Sequence, residues 1–92
     1  MALSGQKTIT AAGTAEALGT QVIQGPLMVK ALEDNAGVCY LGNDGAGDVA
    51  STNGLILAAG DMVVFEYVGA LGSLMLDAAN NDDGVSWLCL NV

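Results

Sequence analysis

The feature that most constrains this chain is the regular spacing of its turn-forming residues. Gly, Asn and Asp interrupt the sequence at intervals of about 6–13 residues, which is the spacing of an all-β sandwich or barrel. No stretch keeps a helical period through three turns without meeting a glycine. The sequence therefore predicts an all-β fold, a small antiparallel β-sandwich of jelly-roll-like form in a single domain.

The segments between these turns predict short strands with alternating faces. In the last of them, Val85, Trp87 and Cys89 share one face. Residues 27–32 and 62–67 carry apolar side chains on both faces, which is typical of strands covered on both sides by another sheet or a neighbouring subunit. The predicted strands are 7–11, 15–18, 22–24, 27–32, 38–41, 55–57, 62–67, 74–77 and 85–90.

The chain is more apolar than its length can accommodate. Of 92 residues, 52% are hydrophobic and 13 more are glycine, while a domain of this size leaves much of its surface in water. Some apolar side chains are therefore expected to face another chain. The candidate interface residues are Ile9, Met28, Leu32, Phe65, Tyr67 and Trp87, with packing in the core as the alternative for Trp87.

The charge balance excludes several functions. The chain has ten acidic residues and only two basic ones, Lys7 and Lys30, which gives a net charge of −8, and it has no histidine. Such a chain has no cationic surface for nucleic acid or for an anionic membrane. It also lacks the side chain most often used as a general base. We therefore predict that the protein is a binding or structural module and not an enzyme. No catalytic, cofactor or metal site is expected.

Acidic loops and cysteines are the remaining candidates for site chemistry. Residues 43–48 and 80–84 hold the oxygen ligands that calcium prefers, but neither has the order of an EF-hand loop. We predict instead a solvated loop at residues 43–48 and an Asx turn at residues 80–84. A metal ion held between subunits is the alternative that the sequence leaves open. Cys39 and Cys89 form no CxxC motif, so buried thiols are expected, with a bridge between facing strands as the alternative.

Several motifs occur in an order that resembles a known family. They are TITAAGTA (8–15), VKA (29–31), NAGVCYLG (35–42), STNG (51–54), LAAGD (57–61), LMLDA (74–78) and DGVSWL (83–88). The series looks like the small β-sandwich proteins encoded beside the major capsid protein in tailed bacteriophages, which include capsid decoration (cement, or head-stabilising) proteins. Two positions depart from the family pattern, since Ala59 replaces a common proline and Asp61 a common glutamate.

The resemblance implies a virion protein on the capsid exterior, present in the host cytoplasm during assembly. Its partners would be the major capsid protein and its own copies, as a homotrimer. The negative charge independently favours the outer surface, because packaged DNA would repel it. Residues 1–12 are either an N-terminal arm or the first strand, and residues 13–92 form the sandwich. The alternative function is a small glycan-binding module of a phage fibre or tail.

Overall fold

The computed structural model describes residues 1–43, 47, 49 and 53–92, and within them the regular secondary structure is β-strand with essentially no helix. Leu71–Ser73 forms a single 3₁₀ turn. The strands are β1 (Leu3–Thr8), β2 (Glu16–Ala17), β3 (Leu27–Ala31), β4 (Cys39–Gly42), β5 (Leu55–Leu57), β6 (Met62–Phe65), β7 (Met75–Ala78) and β8 (Gly84–Cys89).

These strands form two four-stranded antiparallel sheets. Sheet A has the order β1-β8-β3-β6 and sheet B the order β2-β7-β4-β5. The first strand pairs with the last, the second with the seventh, the third with the sixth and the fourth with the fifth. That is the pairing of one long hairpin rolled up on itself, which defines a jelly roll. The predicted all-β, jelly-roll-like sandwich is confirmed.

The core lies between the sheets and follows the predicted alternation. Leu27, Val29 and Ala31 point inward from β3, and Val85, Trp87 and Cys89 from β8. Both cysteines are free and buried. The buried cluster is Ile9, Leu18, Ile23, Leu27, Val29, Ala31, Cys39, Leu41, Leu57, Leu71, Leu76, Ala78, Val85, Trp87 and Cys89.

Two predicted strands need correction. The first strand starts at Leu3 and ends at Thr8, earlier than the predicted 7–11. The pairing of this strand with β8 depends on the contact between Gly5 and Trp87. A Cβ at position 5 would lie 2.8 Å from Trp87 Cζ2, so only glycine leaves room for the indole. Residues 22–24 form no strand, since Val22 makes only an isolated bridge with Ala70.

The two open sides of the sandwich differ. On one side, Lys7 of β1 and Glu16 of β2 form an ion pair of 3.0 Å that links the edges of the two sheets. On the other side lie β5 and β6, the last strands of sheets B and A. A tight turn joins them, with the Asp61 backbone N–H donating to the Ala58 carbonyl at 2.9 Å. The sandwich is therefore closed by charge on the β1/β2 side and bounded by apolar strands on the β5/β6 side.

Candidate functional site

The outer face of sheet A is the surface that faces away from the core across all four strands. Its side chains fall into two rows set by the strand register. The first row is Ser4–Leu88–Met28–Val64, and the second is Gln6–Ser86–Lys30–Met62. Three of the four side chains in the first row are apolar, so an apolar stripe crosses β8, β3 and β6.

This face is uncovered and nearly free of charge. Met62, Val64 and Leu88 are exposed over 58%, 53% and 38% of their surfaces. A shallow groove of about 560 Å³ runs across the face. Lys30 is the single charged side chain in the two rows, in a chain with ten acids. Exposed apolar side chains grouped in this way are typical of a protein–protein contact.

The outer face of sheet B is covered at its centre. Tyr40 and Asp77 point outward from β4 and β7, yet both are buried. Gly13 donates its backbone N–H to Asp77 Oδ1 at 3.0 Å, and Val49, itself buried, lines the same small cleft as Tyr40. The chain therefore covers the centre of sheet B with its own loops and leaves the outer face of sheet A bare.

The six predicted interface residues are distributed over several environments. Ile9 and Trp87 are 0% and 6% exposed and belong to the core, although Trp87 also contributes to the lining of the groove on sheet A. Phe65 points inward from β6 and packs against the core. Met28 lies on the outer face of sheet A and Leu32 is half-buried just beyond β3, while Tyr67 is 72% exposed beyond β6.

Sequence reasoning did not single out Val64, Met62 and Leu88 as the exposed set. Both faces of residues 62–67 are apolar, and composition does not say which face points inward. The signal that assigns the faces is the register with β3, where Met28 lies opposite Val64 and Leu27 opposite Phe65. Register is a tertiary property, so it becomes visible only with the fold.

Several titratable groups make structural contacts within the fold. The Asp77 carboxylate accepts hydrogen bonds from the Gly13 and Ala78 backbone N–H groups, and Asp61 Oδ2 accepts one from Ala58. Burial, followed by the nearby Asp83 charge, raises the pKa of the Cys39 thiol to about 11. At neutral pH this sulfur is therefore a protonated thiol, the poorly nucleophilic form.

The acidic loops are the part of the sequence richest in oxygen ligands for a metal ion. Among residues 1–43, 47, 49 and 53–92, no three Cys, Asp or Glu side chains come together in a group that would hold a metal ion. Asp44 and Asp48 of the first acidic loop lie outside the described residues. In the described part of the second loop, Asp83 uses its carboxylate on backbone N–H groups.

No helix in the described part of the chain has the length and apolar character needed to cross a membrane. Comparison with protein-family models, curated proteins and solved structures gives no significant match to this chain. The family resemblance therefore rests on the sequence motifs, and the candidate site rests on the geometry of sheet A.

Proposed function

We propose that this chain is a viral structural protein, a decoration protein that binds the outer surface of a tailed-phage capsid and stabilises the shell. The observation that carries the proposal is the bare apolar stripe on sheet A. Leu88, Met28 and Val64 form this stripe on a four-stranded sheet, in a jelly roll that covers the centre of its other sheet with its own loops. Jelly rolls recur in viral capsid domains, which supports the proposal by analogy alone.

The distribution of charge supports the same orientation. The stripe meets its partner without bringing a carboxylate into the contact, because the two outer rows of sheet A contain Lys30 and no acid. The net charge of −8 then remains on the surfaces turned to solvent. A coat of such molecules on the exterior avoids the repulsion that packaged DNA would exert on them.

Stabilisation of a shell needs no catalytic group. A protein that binds the assembled lattice and not the free capsid subunit shifts the equilibrium towards the intact shell. Each copy contributes little, but many copies act together on one particle. Apolar anchors on a rigid surface are sufficient for this role, and β3, β6 and β8 present them side by side.

The glycan-binding alternative depends on exposed aromatic rings. Of the four aromatic side chains, Tyr40 and Trp87 are buried and Phe65 packs against the core, which leaves Tyr67 as an exposed ring. One exposed ring is a small platform for sugar stacking. The apolar stripe is therefore the stronger basis for a function.

The test is addition of the purified protein to phage heads that lack it, with bound protein and resistance of the heads to heat measured together. We expect binding and a higher temperature of head disruption. Leu88→Gln places an amide in the stripe and should weaken binding to heads about tenfold, which corresponds to roughly 1.4 kcal/mol. The rise in the temperature of head disruption should become smaller as well. Val22→Gln is the matched control, because Val22 is exposed at an isolated bridge away from sheet A's outer face.

Equal binding by the two variants would reject the stripe as the contact surface. Failure of the unmodified protein to bind heads would reject the decoration role itself. The homotrimer implied by the family resemblance is a separate prediction, and the sedimentation measurement described below tests it.

A further inference from the structure

The edge of sheet A at β6 carries backbone groups without partners. Hydrogen-bonded pairs alternate along an antiparallel ladder. The Ala31 backbone N–H donates to the Asp61 carbonyl at 2.8 Å, so the pairs formed by Val63 and Phe65 also bond to β3. The N–H and C=O groups of Met62 and Val64 therefore point to the open edge. In the described residues they have no hydrogen-bond partner.

The opposite side of β3 agrees with this assignment. The Leu90 backbone N–H donates to the Pro26 carbonyl at 3.0 Å, and the Leu32 N–H donates to the Gly84 carbonyl at 3.0 Å. Even-numbered residues of β3 thus bond to β8 and odd-numbered residues bond to β6. The outward direction at Met62 and Val64 follows from two independent sets of bonds.

The β6 edge is less protected than the other sheet edges. Edge strands commonly avoid self-association by being very short, by carrying inward-pointing charges or by containing proline. β2 has two residues, β5 has three, and β1 carries Lys7 pointing inward. β6 reads MVVF and has none of these features. Its nearest acids, Asp61 and Glu66, lie just outside the strand.

We infer that β6 pairs with β6 of a second copy of this chain, antiparallel and about a two-fold axis at Val63. In this register Met62 lies opposite Val64 of the second copy, and Val63 lies opposite its own counterpart. Both Met62–Val64 pairs exchange two N–H···O=C bonds, so all the free edge groups of both strands are satisfied. The inference does not depend on the proposed capsid function.

Other registers satisfy fewer groups. The two copies must keep their outer faces on the same side, so the strands shift only in steps of two residues. A two-fold axis at Val64 would place Met62 opposite Glu66 of the second copy. The Glu66 carbonyl already packs against Gly25, so closely that a Cβ built on Gly25 would lie 2.6 Å from the carbonyl oxygen. A two-fold at Met62 places Val64 opposite Gly60, whose N–H already donates to the Ala31 carbonyl at 3.1 Å.

The paired sheet joins the two apolar stripes. The row Leu88–Met28–Val64 continues into Met62 and then Lys30 of the second copy, and the symmetric row runs the other way. The exposed Leu55 and Ile56 of β5 lie on the same side of the sandwich. A four-residue edge provides less than the about 800 Å² per partner of a standard interface. We therefore expect a dimer that dissociates on dilution.

The first test measures mass against protein concentration by sedimentation equilibrium. The unmodified chain should change from a monomer towards twice the monomer mass as concentration rises. Val64→Pro removes an edge-facing N–H while sparing the ladder to β3, and it should shift this transition to at least tenfold higher concentration. Ser4→Pro is the matched control, because the N–H of Ser4 faces the other edge of sheet A.

The second test reports the register and does not need the proline variant to fold. Opposed residues in a non-hydrogen-bonded pair have Cα atoms about 4.5 Å apart, within reach of a disulfide. Val63→Cys should therefore form a covalent dimer under mild oxidation. Val64→Cys should not, because its counterpart is displaced along the strand. The native Cys39 and Cys89 are buried, and the unmodified chain measures any covalent dimer that these two cysteines form.

A monomer at all concentrations, a trimer, or equal loss of association in Ser4→Pro and Val64→Pro would each overturn the β6 pairing. Cross-linking through Val64→Cys in preference to Val63→Cys would overturn the register. None of these results removes the decoration proposal, which fails only if heads do not bind the protein. A trimer would instead agree with the stoichiometry that the family resemblance implies.

Discussion

At the scale of single residues, Asp83 fixes the position of the loop between β3 and β4. Its two carboxylate oxygens accept hydrogen bonds from the backbone N–H groups of Ala36 and Gly37, each at 2.9 Å. The neighbouring Asn35 side chain bonds both the N–H and the C=O of Gly84, again at 2.9 Å. A buried carboxylate is tolerated here because both of its oxygens are satisfied.

Replacing Asp83 should therefore cost more than loss of a charge. Asp83→Asn keeps one acceptor but turns an NH₂ group towards a backbone N–H, so we expect a loss of about 1–3 kcal/mol in the free energy of unfolding. Asp82→Asn makes the same charge change at an exposed neighbour with a φ of 70°, a conformation that asparagine tolerates. It should stay within about 0.5 kcal/mol of the unmodified chain.

Urea unfolding followed by the fluorescence of Trp87, the single tryptophan, measures both variants. If the two substitutions have the same effect, the hydrogen bonds of Asp83 contribute nothing beyond its charge.

At the scale of elements, alternation made most strands predictable and left the faces of β6 unassigned. The strand β5 was predicted with its observed bounds, and the inward face of β8 was assigned from Val85, Trp87 and Cys89. These successes follow from a period of two with one clearly larger apolar face. For β6 both faces are apolar, so the sequence named Phe65 and Tyr67 where the exposed side chains within the strand are Met62 and Val64.

The bounds of the first strand were also not predictable from the local sequence pattern. Residues Leu3–Gln6 include serine and glycine, which have low strand propensity, and the sequence placed the strand further along. Their strand conformation is stabilised by four register pairs with β8 and by the Trp87 indole beneath Gly5. Both partners lie more than 75 residues away in the chain, beyond the range of a local pattern.

The Lys7–Glu16 pair links the edges of the two sheets and should make stability depend on pH. The hydrogen bond from Lys7, followed by that from the Thr10 backbone N–H, lowers the pKa of Glu16 below its ordinary value of 4.5. The unfolded chain therefore binds this proton more readily than the folded chain. The stabilisation is present above about pH 4.5 and is lost as the pH falls through the folded pKa.

Glu16→Gln should lower the free energy of unfolding at pH 7, and the difference from the unmodified chain should shrink as the pH falls below 4.5. Glu33→Gln is the control, because the Lys30–Glu33 pair is longer, at 3.5 Å, and the Glu33 side chain is 78% exposed. Exposed pairs of this kind contribute little. Denaturant unfolding across the acid range measures the effect. A constant difference at every pH would mean that Glu16 acts through packing alone.

At the scale of the whole molecule, the dominant electrostatic feature is a charge of −8 on a body of 33 × 29 × 19 Å. Like charges this close repel one another, which favours the expanded unfolded chain and opposes association of copies. Salt at 0.1 M screens over about 10 Å, less than the width of the molecule. Much of this repulsion is therefore removable by salt, while the apolar and hydrogen-bonded contacts remain.

We expect the thermal midpoint of the monomer to rise as sodium chloride increases from low to moderate concentration. Asp34→Lys, which changes the net charge from −8 to −6, should raise the low-salt midpoint and reduce its dependence on salt. Circular dichroism of dilute samples measures the midpoint, and Asp34→Asn, at −7, should fall between the two. The same screening should favour β6 pairing, because its contacts involve backbone groups and apolar side chains. A midpoint independent of salt in the unmodified chain would show that the acids are already too far apart, or too well paired, for the net charge to govern stability.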